Sequence, residues 1–108
     1  MKFVIGFLLL TLNYAIAQSD YAYITNFNDN SISVIDLNRN EKIVDIITGK
    51  NPHGVDVSPD NRFVAVSNEG DNTLTVIDAI SNEVLKQIPV GSHPHQIAFT
   101  KNGKFVFV

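Results

Sequence analysis

Cysteine is absent from the 108 residues. No disulfide framework, thiolate metal site, cysteine nucleophile or lipidated cysteine can therefore form. Basic residues are scarce: 8 Lys and Arg stand against 11 Asp and Glu, for a formal net charge of −3. Nucleic-acid affinity comes largely from basic side chains that neutralise phosphates, so an acidic balance without a Lys/Arg cluster weighs against a nucleic-acid partner. The HExxH zinc pattern, the GxSxG elbow, the Gly-rich phosphate loop and the EF-hand loop are missing as well. Apolar residues do not recur at spacings of three and four over a helical length, which excludes helical repeats. What is present is a composition of 44% hydrophobic and 18% charged residues, that of a folded chain.

The N-terminus reads MKFVIGFLLLTLNYAIA, with one positive charge at Lys2, an apolar run from Phe3 to Leu12, and small residues at Ala15 and Ala17. This pattern predicts a secretory signal peptide over residues 1–17. Ten apolar residues in a helix reach only about 15 Å, roughly half of a bilayer core, so a membrane anchor fits poorly. Cleavage would leave Gln18–Val108, without a stable membrane span, in the periplasm, at the cell surface or in the medium.

Laid against itself, the remaining chain matches at an offset of 42 residues. Asn26 falls on Asn68, Asp29 on Asp71, Asn30 on Asn72, and Val34-Ile35-Asp36 on Val76-Ile77-Asp78. The same offset carries Asn40-Glu41 onto Asn82-Glu83, Gly49 onto Gly91, Pro52-His53 onto Pro94-His95, and Phe63-Val64 onto Phe105-Val106. The repeats run over about 23–64 and 65–106, without a gap. A period of ~40 to 45 residues marks propeller blades and some helical arrays. Short β-branched runs bounded by Asn, Asp, Gly and Pro decide for strands, at about 53–58, 62–68, 73–78 and 83–90 in one full repeat. Four antiparallel strands per repeat make one blade of an all-β propeller.

The stretches YITNFNDNSISVIDL and VAVSNEGDNTLTVIDA, each followed some dozen residues later by Gly and then Pro, resemble the YVTN-type β-propeller repeat. The resemblance covers Tyr21 to Val108; the signature stands as Tyr23-Ile24-Thr25-Asn26 and degenerates to Ala65-Val66-Ser67-Asn68. Related repeats occur in archaeal surface-layer proteins, quinone-dehydrogenase-associated propellers, the haem-binding propeller of periplasmic nitrite reductases and, more distantly, lactonases. The resemblance implies a fold and an exported setting; a fold that hosts all of these does not specify an activity.

Most repeated residues suit scaffolding. Asn26 and Asn68 end the second strand of their blades, and Asn30 and Asn72 precede the third, where left-handed backbone and free amides need short polar side chains. Asp36 and Asp78 close the third strand, placed to accept from amides of the next turn. Gly49 with Pro52, and Gly91 with Pro94, mark the crossing from one blade's outer strand to the next blade's inner strand. His53 and His95 start two successive inner strands, so blade-to-blade rotation puts both on one face near the axis. Repeated imidazoles there could meet a metal, a haem edge or an anionic ligand, or each could simply bond its own crossing. His93 has Asn51 as its repeat equivalent, which weakens its claim. Asp56 interrupts the inner strand where the next blade has Ala98, either lining the axial channel or partnered as a rim carboxylate.

Taken from the axis outward, the chain supplies the second to fourth strands of one blade, a whole blade, and the first two strands of another. A blade buries its faces only against neighbours, so the sequence predicts about two blades from the N-terminal piece of a longer propeller. The expected function is that of an exported, non-catalytic module binding a protein or small ligand at its axial face, in periplasmic redox metabolism by resemblance. A lactonase-like hydrolase, a cofactor-bearing redox propeller and a surface-layer or adhesion repeat are the alternatives; no cofactor is specified. The mass of the protein recovered after export is expected to match a chain beginning at Gln18, and a mass that retains residues 1–17 contradicts the leader assignment.

Overall fold

Short β-branched runs separated by Asn, Asp and Gly build three antiparallel sheets in the computed structural model, which describes residues 20–108. The expected leader over 1–17 lies outside the described residues. The first sheet orders β1 (Tyr21–Asn26), β2 (Ser31–Asp36) and β3 (Glu41–Ile47). The second orders β4 (Pro52–Val57), β5 (Phe63–Asn68), β6 (Thr73–Asp78) and β7 (Val84–Pro89). The third pairs β8 (Ala98–Phe99) with β9 (Val106–Phe107). This is the all-β propeller-blade architecture that the repeat predicts, with strand limits displaced by about a residue. Among the described residues no helix is long and apolar enough to cross a membrane.

Alternation along the strands decides which side chains enter the core. Ile32 and Val34 of β2 and Ile46 of β3 pack on Val64 and Val66 of β5 and Ile77 of β6, all nearly or fully buried. Tyr23, Val44, Val55, Val57 and Ala79 close the edges of this layer between the first two sheets. Each fully buried Val or Ile contributes about 1.5–3 kcal/mol relative to an exposed one, so this layer is the main source of cohesion between the repeats. Strand β5 is buried along Val64–Asn68, with the first sheet on one side and the segment around His95 on the other.

The turns repeat as faithfully as the strands. Left-handed backbone occurs at Asn30, Asn40, Asn51, Asn61, Asn72, Asn82, His93 and Gly103, at alternating intervals of 10 and 11 residues. Asn tolerates this region better than most residues because its short side chain bonds locally, and Gly has no Cβ to clash. His93 occupies the place of Asn51, with φ of 53° against 52°, so the backbone is kept where the residue type is not. Asp36 accepts from the amides of Asn38 (2.9 Å) and Arg39 (3.1 Å), and Asp78 from those of Ile80 (2.8 Å) and Ser81 (3.0 Å). The amides of Ser81 and Ile80 hold the Asp78 carboxyl below the ordinary value of 3.8. In the β4–β5 turn the Ser58 hydroxyl, followed by the Arg62 amide, holds Asp60 low in the same way.

Asn26 and Asn68 serve their neighbouring strand rather than free amides. The Asn26 side-chain amide donates to Ser31 and Ser33 hydroxyls (3.1 and 2.9 Å), and that of Asn68 to Thr73 and Thr75 (3.0 and 2.8 Å). Both second-to-third strand pairings are therefore closed by the same side-chain clip. Register slips recur between Val34 and Ile35 and between Val76 and Ile77, again one repeat apart. Strands β8 and β9 are shorter than the sequence predicts. The segment before β8 is tied at His93 to Asn72 of the β5–β6 turn and at His95 to Ser67 of β5, and β8 itself at Phe99 to Asp56 of β4.

The two crossing glycines differ in their surroundings. A Cβ on Gly49 would lie 2.6 Å from Asn68 Nδ2 and 2.8 Å from an Asp71 carboxylate oxygen, whereas one on Gly91 meets nothing within 4 Å. Gly49→Ala is expected to destabilise the full chain by about 1–3 kcal/mol through overpacking, and Gly91→Ala to leave the denaturation midpoint unchanged. Equal effects of the two substitutions contradict this assignment.

Candidate functional site

The crossing from β3 to β4 is fixed from both ends. The amides of Glu69 and Gly70 donate to the carbonyls of Asn51 (3.0 Å) and Lys50 (2.9 Å), and the Lys50 amide donates to Asp71 (2.9 Å). Asn30 Oδ1 accepts from the Asn51 amide at 2.9 Å, and Asn72 Oδ1 accepts from the His93 amide at the same distance. Pro52 and Pro94, both buried, then lead into His53 and His95.

A hydroxyl from the preceding sheet seizes each histidine by its backbone. Thr25 donates to the His53 carbonyl at 3.2 Å, and Ser67 donates to the His95 carbonyl at 2.6 Å. Ser67 also accepts from the Gly54 amide at 2.9 Å, so one buried hydroxyl ties β4 to the next inner segment. Gly54 is required by this approach, since a Cβ there would collide with the His95 carbonyl oxygen. The pairing of β4 with β5 skips from Pro52 to Val55, which frees the His53-Gly54 backbone to meet its neighbour.

The result is a stack. The imidazoles of His53 and His95 lie with centroids 4.3 Å apart and planes at 19°. Glu69 sits beside them with Oε2 3.4 Å from His95 Nε2, and the Phe27 ring meets His53 edge-on at 6.3 Å. Phe27 and Glu69 are repeat equivalents, and each faces the histidine that follows the next buried proline; His53 lies in β4, whereas His95 stands three residues before β8 rather than at the start of a strand. A shallow recess of about 490 Å³ lies here, lined by Thr25, Phe27, Pro52, His53 and Glu69. The His95 side chain is 52% exposed and that of Glu69 25%, so the cluster is open to solvent on one side.

The structure thus brings His53 and His95 together and adds Glu69, which the repeat does not single out because its equivalent is an aromatic residue. Its position in the loop after Asn68, facing the crossing, is the only sequence signal for it. Asp56 lies elsewhere on β4: Oδ1 accepts from the Val57 amide (2.9 Å) and Oδ2 from the Phe99 amide of β8 (2.8 Å). It joins successive inner strands rather than the histidine cluster. A larger recess of about 660 Å³ includes Asp20, Tyr21, Tyr23 and Asn82 in its lining. Burial, and secondarily Tyr21, pushes the Tyr23 hydroxyl above its ordinary pKa there. That recess carries neither histidine, and the convergent chemistry lies at the smaller one. Two imidazoles and one carboxylate can bind a cation, exchange protons or stack on a planar ligand.

The profile of the YNCE-like beta-propeller family matches residues 11–105. No curated protein matches the chain. Hydrazine synthase of Kuenenia stuttgartiensis is similar in structure, with a TM-score of 0.78 and 24% identity over 80% of this chain. The dihydro-heme d1 dehydrogenase NirN, solved in complex with DHE, is similar with a TM-score of 0.73 and 22% identity over 83% of it. A functionally unknown protein of Desulfotomaculum acetoxidans is similar with a TM-score of 0.71 and 18% identity over 80% of it. The chain spans 24%, 20% and 30% of the lengths of these three structures, respectively. At these identities the likeness is one of fold.

Removal of the Ser67 hydroxyl leaves the Gly54 amide and the His95 carbonyl without this partner. Ser67→Ala is expected to destabilise the chain by about 1–3 kcal/mol, and Thr25→Val, at a more open site, by about 1 kcal/mol or less. Denaturant unfolding of the full chain checks both, and a Ser67→Ala midpoint equal to that of the parent contradicts the bridging role.

Proposed function

The chain belongs to the YNCE-like β-propeller family, and from that premise we propose that it is an exported, non-catalytic propeller that binds a ligand at the face where successive inner strands begin. The observation that carries this reading is the convergence of His53, His95 and Glu69 beside an open recess that His53 and Glu69 line. Their backbones are held by hydrogen bonds from Thr25, Ser67 and the Asn51 carbonyl, which gives the surface a fixed backbone geometry. The hydroxyls nearest the histidines, those of Thr25 and Ser67, are committed to backbone carbonyls. That commitment favours binding over hydroxyl nucleophilic chemistry, which needs a hydroxyl engaged by a basic group. The leader pattern over 1–17 supports export to the periplasm, cell surface or medium. A role beside a redox enzyme draws on the repeat resemblance and on the propeller likeness to a dehydrogenase.

A second reading, a cofactor-bearing redox propeller, is favoured by the imidazole stack itself, since a pair of exposed histidines suits a planar metal-bearing ligand. The two readings separate when the full chain, freed of metal with EDTA, is offered a lactone, a reduced quinone with an electron-accepting dye, and haemin. The non-catalytic reading expects no hydrolysis, no dye reduction and no histidine-dependent Soret shift. Turnover that disappears in His53→Ala overturns it, and a Soret shift lost in both His53→Ala and His95→Ala replaces it with the cofactor-bearing reading.

A further inference from the structure

We infer that His53, Glu69 and His95 form a site for one divalent transition-metal ion of the zinc or copper kind, at the seam between the second sheet and the segment that leads into the third. The inference rests on the binding-module reading and gives its ligand a chemistry. One ligand atom from each of the three side chains lies within 4.8 Å of the others. The Glu69–His95 pair has the spacing of ligands on a common ion: bonds of about 2.1 Å at tetrahedral angles put two ligand atoms about 3.4 Å apart. The observed Nε2–Oε2 separation is 3.4 Å. A good charge-assisted hydrogen bond would be shorter, at about 2.7–2.9 Å, so this contact is loose as an ion pair and well spaced as a ligand pair. The His53 ligand atom lies within 4.8 Å of the other two, and its exposed ring would close on a shared ion by turning out of the near-parallel stack.

The support behind the ligands is built by the fold. Thr25 and Ser67 hold the carbonyls of the two histidines, and the Glu69 amide is tied to the Asn51 carbonyl. Each ligand therefore comes from a different part of the chain but from a fixed backbone position. Two imidazoles and a single carboxylate select zinc, copper or nickel over magnesium and calcium, which take mostly oxygen ligands. Three protein ligands with a solvent-open side leave a fourth position for water or for an atom of a further ligand.

The test uses the full chain, stripped with EDTA and desalted, with Zn²⁺ alone as the probe. Equilibrium dialysis is expected to find one tight site per chain, and the imidazole resonances of His53 and His95 are expected to move together on titration. His53→Ala, His95→Ala and the near-isosteric Glu69→Gln should each weaken binding by about tenfold or more. His93→Asn, which installs the residue found at the equivalent Asn51, should bind as the parent does, and Mg²⁺ in large excess should not compete. Circular dichroism separates loss of the site from loss of the fold. Binding unchanged in all three variants, or weakened equally by His93→Asn, overturns the inference. A chain that binds Zn²⁺ through these residues and also turns over the lactone or the dye keeps this inference and loses the non-catalytic reading. A chain that does neither loses this inference alone.

Discussion

Ser67 donates its hydroxyl proton to the carbonyl oxygen of His95, and Thr25 does the same to His53, one repeat earlier. Most of what is particular to this chain depends on that exchange. The apolar layer of Ile32, Val34, Ile46, Val64, Val66 and Ile77 supplies cohesion between sheets but would tolerate sliding, because the hydrophobic effect has no direction. Hydrogen bonds from one sheet into the backbone that begins the next set the displacement. Asn30 to Asn51, Asn72 to His93 and Asp56 to Phe99 add to the same registration. With that fixed, the first side chain after each buried proline must come to lie over its predecessor, and the residue there is histidine both times.

The fold was legible in the sequence because its cause is repeated. A 42-residue offset carries the turn asparagines, the strand-closing aspartates and the crossing Gly and Pro onto their equivalents, and each of these does a job that few other residues can do. Left-handed backbone at Asn30 and Asn72, and carboxylates at Asp36 and Asp78 that accept turn amides, follow from side-chain length and chemistry alone. The clip made by Asn26 and Asn68 was less readable. Its acceptors are Ser in one repeat and Thr in the other, and hydroxyl chemistry is kept while residue identity is not. His93 shows the converse, a change of residue type in an unchanged backbone.

The site was half legible. Repetition pointed to His53 and His95, and the geometry of a blade stack put them on one face, but nothing in one dimension gives a ring separation of 4.3 Å. Glu69 was less legible because it replaces Phe27 in the repeat and sits in the turn after β5, where no strand alternation says which way its side chain faces. That break is also what makes the site chemical: an aromatic edge packs on His53, while a carboxylate faces His95. Asp56 breaks the pattern too, yet its carboxylate is taken up by two backbone amides. A departure from the repeat therefore marks a candidate, and only the partners of the side chain say whether it is free for a ligand.

The central claim is that bonds between successive sheets hold the two imidazoles in contact, and it is tested most directly by proton nuclear Overhauser effects between the rings of His53 and His95 in the metal-free full chain. Cross-peaks between the two imidazoles, together with cross-peaks from the Phe27 ring to His53 and their weakening in Ser67→Ala, are the predicted result. Well-resolved ring signals with no cross-peak between the two histidines would contradict the account.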